Sequence, residues 1–286
     1  MKPNEMQSSQ FLGSRSRPEE NCFCLLGVPL DITASFRPGT RRGPQAIRQA
    51  SWTLEEFSLY QERHLKEVHF CDLGDLSLPT AGLQSSLAII QTAVEELVQT
   101  DLKPFILGGE HLLTLPVVKA LTSVYGSGLI VLQFDAHADL RDQYEGEALS
   151  HATVMRRLAE LITPGQIYQF GIRSATVDEL AYARRHTNFY PFQVLEPLAR
   201  VLPSLQNRPL YVSIDIDVFD PAFAPGVGTP EPGGVTVATL LAALKLLRGH
   251  NIVGVDIVEA CPPFDLSERT AVLAALLVRE LLLLAD

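Results

Sequence analysis

Short apolar runs rich in β-branched residues alternate with amphipathic stretches of helical length along almost the whole chain, and this alternation restricts the fold more than any other feature. The runs lie at Cys22–Val28, Glu67–Cys71, Pro104–Leu107, Leu129–Phe134, Gln166–Phe170, Phe189–Phe192, Leu210–Ile214 and Asn251–Ile257. Their length and apolar character predict strands buried on both faces. Between most of them, Gly82–Gln99, Thr114–Ser123, Ala148–Leu161, Val177–His186, Val235–Arg248 and Ser267–Leu284 carry the patterning of amphipathic helices. Parallel neighbours need crossovers of helical length, so the order predicts a parallel sheet covered by helices. The strand count fits a closed barrel as well as an open sheet. The irregular stretch Val218–Gly234 favours the open sheet. In it Pro225 and Pro230 alternate with Gly226, Gly228, Gly233 and Gly234, which predicts a rigid, kinked loop able to wall a site. No linker interrupts residues 21–286, read as one domain, and the polar residues 1–20 are read as a mobile or partner-contacting tail.

Composition narrows the function classes. Lys plus Arg number 23 against 33 Asp plus Glu, a formal net charge of −10, which disfavours nucleic acid and favours a cationic ligand. The N-terminal segment lacks an apolar signal core, and no run approaches the roughly 18 uninterrupted apolar residues of a membrane span, so a cytoplasmic location away from membranes is expected. The four cysteines, Cys22, Cys24, Cys71 and Cys261, lack the paired short spacing of a zinc site and are too few for a disulfide scaffold. They are read as reduced, with Cys22 and Cys24 on one strand face as small apolar core residues.

Four segments place ionisable groups directly after predicted strands, where ligands bind in parallel α/β folds. They are LGGEH ending at His111, FDAHAD with Asp135, His137 and Asp139, SIDID with Asp215 and Asp217, and VDIVE ending at Glu259. Spacing by two projects Asp135, His137 and Asp139 to one side of an extended strand end, and Asp215 with Asp217 repeats it. Together with His111 these form four carboxylates and two imidazoles. So many anions share a low-dielectric site only with cations to neutralise them, and a pair of divalent metals does so. Oxygen-rich ligation with a minority of imidazole suits manganese better than zinc. The Gly108–Gly109 pair lacks the spacing of a phosphate-binding loop, and close backbone packing beside His111 explains it better.

These segments resemble the signatures of the ureohydrolase family, which includes arginase, agmatinase, guanidinobutyrase and formiminoglutamase. LGGEHLL, VLQFDAHAD and SIDIDVFDPAFAPGVGTPEPGG each look like one of its three metal-binding motifs, in the family's order. GVPLDITASFRPGTRRGPQAIR and VGVDIVEACPPFD extend the similarity from about Gly27 to the C-terminus. The resemblance implies a three-layer αβα sandwich with an open, eight-stranded, mainly parallel sheet. It also implies two Mn²⁺ per chain, one held by His111, Asp135, Asp139 and Asp215 and the other by Asp135, His137, Asp215 and Asp217, with Asp135 and Asp215 bridging. A guanidinium is a poor electrophile, so a metal-bridging hydroxide would attack its carbon and release urea and an amine. His151, in LSHATVMRR, stands where the family has its proton-shuttle histidine. Asp139 would relay a proton, Glu259 would pair with the substrate guanidinium, and Asp256 is a candidate acceptor behind a metal-bound group. Trimers or hexamers are implied in the same way.

For the substrate, Arg141 stands where arginases of the family usually carry an Asn two residues after the last Asp of DAH-x-D, to engage the substrate's α-carboxylate, and Ala152 where they carry a Gly after the shuttle histidine. The run DLRDQYEGEALSHATVMRR instead resembles archaeal and bacterial agmatinases, which points to agmatine, hydrolysed to putrescine and urea. Asp142, Glu145 and Glu147 would offer such a dication an acidic mouth, whereas Arg141 and Arg173 would favour a substrate with an acidic tail. Guanidinobutyrate, N1-aminopropylagmatine, arginine and free guanidine are the alternative substrates, and a non-catalytic metal-binding relative and a zinc deacylase of related architecture are the alternatives of other classes.

Overall fold

Eight of the apolar runs pair into one sheet in the computed structural model, which describes residues 10–79 and 82–284. In chain order the strands are β1 (Phe23–Val28), β2 (Phe57–Ser58), β3 (Arg63–His64), β4 (Phe70–Asp75), β5 (Lys103–Gly108), β6 (Ile130–Phe134), β7 (Ile167–Phe170), β8 (Asn188–Tyr190), β9 (Leu210–Asp215) and β10 (Ile252–Val258). The large sheet has the order β4-β1-β5-β10-β9-β6-β7-β8, with every pairing parallel. β4 and β8 are its edges, so the sheet is open and not a barrel. β2 and β3 form a separate antiparallel hairpin that the apolar pattern did not announce.

The period of two along each strand divides the core into two layers. Phe105, Leu107, Leu132, Phe134, Val212 and Ile214 face one side, under α1 (Gly43–Ser51), α6 (Leu195–Val201), α7 (Val237–Lys245) and α8 (Arg269–Leu282). Leu26, Ile106, Val131, Ile167 and Tyr211 face the other, under α2 (Leu83–Gln99), α3 (Thr114–Tyr125), α4 (Val154–Leu161) and α5 (Val177–His186). The result is the expected three-layer sandwich. α1 and α6 were not anticipated. α1 opens on Gly43-Pro44, which reads as a turn in sequence although Pro in the first turn suits a helix start. The predicted helix from Ala148 begins only at Val154, because a 3₁₀ turn over His151–Thr153 precedes it.

Chain order places the site. After β5 the chain skips to β6 and continues outward through β7 and β8. It then returns to insert β9 and β10 between β5 and β6. The four motif-bearing strands are therefore the central neighbours β5-β10-β9-β6. Their ends are level, with Ile257 beside Leu107, Val258 beside Asp215 and Phe134 beside Ile214. Crossovers leaving this region in opposite directions open a crevice at the strands' carboxyl ends. The glycine pair serves close packing, as expected: a Cβ on Gly109 would lie 1.9 Å from the Leu30 carbonyl oxygen.

Of the expected tail, residues 1–9 lie outside the described residues. Phe11 is buried edge-on against Phe70, and the Leu12 N–H donates to Ser51. All four cysteines are free and buried, and Cys22, Cys24 and Cys71 meet on one sheet face. No helix among the described residues is long and apolar enough to cross a membrane.

Candidate metal centre and active site

His111 opens a 3₁₀ turn after β5 and is buried. Its Nε2 lies 3.0 Å from Ser213 Oγ, and the Ser213 hydroxyl in turn donates to Asp256 Oδ1 at 2.7 Å. Asp256 also accepts from Tyr211 and Thr114 at Oδ2. With its own proton given to Asp256, Ser213 is an acceptor, so in the neutral ring Nε2 of His111 carries the N–H and Nδ1 the lone pair that a metal would take. Nδ1 faces Asp135 Oδ2 at 3.1 Å, Asp139 Oδ2 at 3.1 Å and Asp215 Oδ2 at 3.3 Å, yet makes no hydrogen bond among the described residues. One lone pair and three carboxylate oxygens converging on one point repel one another unless a cation sits between them.

A second group adjoins the first. His137 Nδ1 lies 2.9 Å from Asp217 Oδ2 and 3.8 Å from Asp135 Oδ1, so Asp135 belongs to both groups. Backbone geometry holds the carboxylates: Asp135 Oδ1 accepts the His137 N–H, Asp215 Oδ1 the Asp217 N–H, and Asp217 Oδ1 the Ala136 N–H. Behind Asp135 runs a buried amide relay in which Thr187 donates to Gln169, Gln169 to Gln133 and Gln133 to Asp135 Oδ2.

Protonation reflects the same demand for positive charge. Burial and the neighbouring carboxylates push Asp135 up to about 7 and Asp215 well above the carboxylate range. Burial opposes charge on His111 and His137, but the surrounding aspartates outweigh it, raising His111 well above its ordinary value and His137 to about 11. Without a metal, protons take the cation's place. The donor set of carboxylate oxygens with two imidazole nitrogens, one of them an orphaned lone pair, fits a pair of divalent cations of the oxygen-preferring kind. All six expected ligands meet here. Asp215 lies with His111 and Asp135 and touches the second group through its bond from Asp217.

Above the aspartates lies a cavity of about 250 Å³, with His151, Arg141, Tyr144, Glu179 and Glu259 in its walls. Glu259 adopts a φ of 65° and accepts the His111 backbone N–H at 2.8 Å; Asp139 has a φ of 53°. Strained backbone of this kind clusters at sites where geometry is imposed. Burial pushes Glu259 up to about 8, so a cationic partner is needed to keep it ionised at neutral pH. Burial holds the His151 imidazole below its ordinary value, favouring the neutral ring.

The substrate-tail residues fare differently. Arg141 is in the wall, but its guanidinium stacks 4.9 Å over Tyr144 and lies 3.6 Å from Glu179. Asp142 and Glu145 are not in the wall. Asp142, 70% exposed, pairs with Arg157 at 2.9 Å and Arg156 at 3.7 Å, while Glu145 and Glu147 lie in a turn closed by reciprocal Tyr144 and Glu147 backbone bonds. Of the expected acidic mouth, Asp142 is thus drawn off by α4 arginines, and neither Glu145 nor Glu147 lines the cavity. Arg173 is likewise engaged: it donates to the carbonyls of Asp217, Val218, Phe219, Glu231 and Pro232 and staples the Pro/Gly-rich loop. Sequence reading missed Tyr144, Glu179, Thr33 and the relay residues. Gln133 and Ser213 were findable, as polar residues inside apolar strands two positions before Asp135 and Asp215. Gln169 is likewise a polar residue inside an apolar strand and Glu179 sits in the first turn of α5, whereas Thr33 and Tyr144 come from loops with no periodic signal and Thr187 follows the end of α5.

The sequence profile of the arginase family matches residues 21–284. The solved agmatine ureohydrolase of Thermoplasma volcanium superposes with a TM-score of 0.88 at 30% identity, over 98% of this chain and 97% of that one. The proclavaminate amidino hydrolase of Streptomyces clavuligerus does so with a TM-score of 0.86 at 32% identity, over 95% and 94%. The chain therefore belongs to the arginase family, hydrolases that cleave guanidino C–N bonds. Within that family it is 47% identical to the agmatinase of Bacillus subtilis (strain 168) over 276 residues, 96% of this chain and 95% of that protein.

Proposed function

We propose that this protein is a binuclear manganese agmatinase that hydrolyses agmatine to putrescine and urea. The reading is carried by the orphaned Nδ1 of His111 converging with Asp135, Asp139 and Asp215, beside a second group that shares Asp135. The similarity to agmatinases over nearly the full length of both chains supports the substrate. His111, Asp135, Asp139 and Asp215 would hold one ion, and Asp135, His137, Asp215 and Asp217 the other. When bound, such a pair lowers the pKa of water towards neutrality and so supplies the nucleophile that neutral water is not.

The chain's own residues do the rest. Glu259 pairs with the substrate guanidinium, and that cation lets its carboxyl ionise despite burial. His151, neutral at rest, collects a proton released during attack, with Asp139 as the relay, and returns it to the departing amine, which leaves badly unless protonated. Tyr144 and Glu179 hold Arg141 at the wall, where it shapes the part of the cavity that the substrate's distal end reaches.

A second reading, a guanidino acid hydrolase, is favoured by that same Arg141, and a guanidinobutyrase of Pseudomonas aeruginosa is 35% identical over 90% of this chain. Urea release from agmatine, guanidinobutyrate, arginine, N1-aminopropylagmatine and guanidine, with manganese supplied and metal content measured, tests both. Agmatine is expected to give the highest kcat/KM with two manganese ions per chain; no urea from any of them, or a metal-free active enzyme, removes the reading.

A further inference from the structure

The segment after β1 reaches the cavity through a network that the chemistry above does not use. Glu110, the residue before His111, is 1% exposed. Its Oε2 accepts the N–H groups of Ile32 and Thr33, each at 2.7 Å, and its Oε1 accepts the Thr33 hydroxyl at 2.9 Å. The backbone beneath is fixed as well, because the Glu110 N–H donates to the Leu30 carbonyl at the point where Gly109 allows no side chain. Thr33 is thereby held from both its backbone and its side chain.

The Thr33 hydroxyl has one proton, and it is committed to Glu110. On its other side the oxygen is an acceptor, 3.0 Å from the His151 backbone nitrogen and 3.3 Å from His151 Nδ1. Ser150 Oγ also lies 3.3 Å from Nδ1 and caps the turn by accepting the Ala152 N–H at 3.4 Å. A protonated Nδ1 finds an acceptor in either oxygen. An unprotonated Nδ1 would be matched by Ser150 alone and would set its lone pair against that of Thr33. The neighbours therefore select the tautomer with hydrogen on Nδ1 and the lone pair on Nε2. Nε2 lies 3.5 Å from the hydroxyl of Ser35, a cavity-wall residue, and Tyr144 bounds the ring edge-on with centroids 5.6 Å apart.

We propose that Glu110 and Thr33 are positioning residues that lock the His151 ring with Nδ1 protonated and Nε2 turned to the cavity as the nitrogen that receives and returns the proton. The inference rests on the proton-carrying role of His151 in the proposed function. Thr33→Val keeps the side-chain shape and removes the hydroxyl, whereas Thr33→Ser keeps the hydroxyl.

In the manganese-loaded full-length enzyme, Thr33→Val is expected to lower kcat about tenfold or more with KM and metal content within about twofold, and Thr33→Ser to stay within about threefold of wild type. Glu110→Gln, which exposes the two backbone donors to an amide, is expected to lower kcat in the same way. Placed in a His151→Ala background, Thr33→Val is expected to make no further difference, because its effect runs through a ring that is gone. A crystal structure of Thr33→Val is expected to show the His151 ring turned away from its wild-type position. Wild-type kcat in Thr33→Val, an equal loss in Thr33→Ser, or an additive loss in the His151→Ala background overturns the proposal. An unmoved ring overturns it too, and that readout stands even if the wild type releases no urea, the separate result that removes the proposed function.

Discussion

Ser213 decides which nitrogen of the neutral His111 ring keeps its hydrogen, because its hydroxyl proton is committed to Asp256 and an N–H on Nε2 answers it, leaving the Nδ1 lone pair to the aspartate side. Removing that acceptor with Ser213→Ala leaves a buried N–H without a partner and frees the ring to adopt the other tautomer. Such partners behind metal ligands are typically worth about 10- to 100-fold in metal affinity. Ser213→Ala is expected to weaken manganese binding by about that factor, measured by competition with a chelating dye; unchanged affinity would remove Ser213 from the metal centre's support. The same residues set a pH dependence in the metal-free protein. Burial holds Asp135 at about 7 and Glu259 at about 8, and the aspartates raise His137 to about 11 against the pull of burial. Each raised value means that the folded chain keeps protons the unfolded chain has released, so stability falls as pH rises through this range. Asp217, held at about 2 by His137 despite its burial, contributes stability that is lost only below the unfolded carboxylate range, outside this window. Between about pH 5 and 8 the Tm of metal-free protein is therefore expected to fall, and the rise in Tm on adding manganese to grow, because metal and protons compete for the same atoms. A metal-free Tm that climbs over this interval contradicts the assignment.

Strand ends do at the level of elements what Ser213 does for one ring. β5, β10, β9 and β6 end level, so residues far apart in sequence meet because each lies at the carboxyl end of a central strand or in the short segment just beyond it. That part was legible in sequence. Asp135, His137 and Asp139 at spacing two after an apolar run leave little choice of where they point, and the eight runs that carry the sheet stand out by hydrophobicity alone. What periodicity did not settle was sheet against barrel, since a strand's apolarity is the same whether the eighth strand closes on the first or stands at an edge. The loops were illegible for a different reason. Arg173 and Asp142 were read by charge as substrate contacts, and their partners, the carbonyls of residues 217–232 and the arginines of α4, are set by tertiary folding. As a staple, Arg173 makes the Pro/Gly-rich loop part of the site. Arg173→Ala is expected to cost about 2 kcal/mol, from charged hydrogen bonds to carbonyls left unmet, and to lower Tm by roughly 3 °C. Limited proteolysis should then cut within residues 218–234, where the wild type resists. An unchanged cleavage pattern with an intact Tm would show that the prolines alone fix the loop.

Across the whole molecule the formal charge of −10 favours a cation wherever it approaches, and the agmatine dication gains more from that field than the arginine zwitterion with its added carboxylate. Inside the cavity the difference sharpens. Arg141 is the positive group in the wall best placed to meet a carboxylate, but Glu179 lies 3.6 Å from it and Tyr144 lies under its guanidinium, so its charge is already offset. A carboxylate entering there forfeits charge-assisted hydrogen bonds of roughly 1.5–3 kcal/mol, about tenfold or more in affinity. Agmatine is therefore expected to exceed arginine in kcat/KM by about that factor or more, with guanidinobutyrate between or below. Two contributions make up the preference, and salt separates them. The long-range part acts over a Debye length of about 8 Å at physiological ionic strength and shrinks as salt is raised, while the part set by Arg141 and Glu179 inside the cavity persists. Measured at rising salt with manganese fixed, the agmatine-to-arginine ratio should fall to a plateau still well above one. Glu179→Gln, which loosens the hold on Arg141, should lower that plateau by improving arginine and guanidinobutyrate. If the ratio collapses to one at high salt, the selectivity belongs to the surface field and Arg141 has no part in it. If guanidinobutyrate outperforms agmatine throughout, Arg141 turns from Glu179 to the substrate, and the guanidino acid hydrolase reading replaces the agmatinase one on the same metal centre.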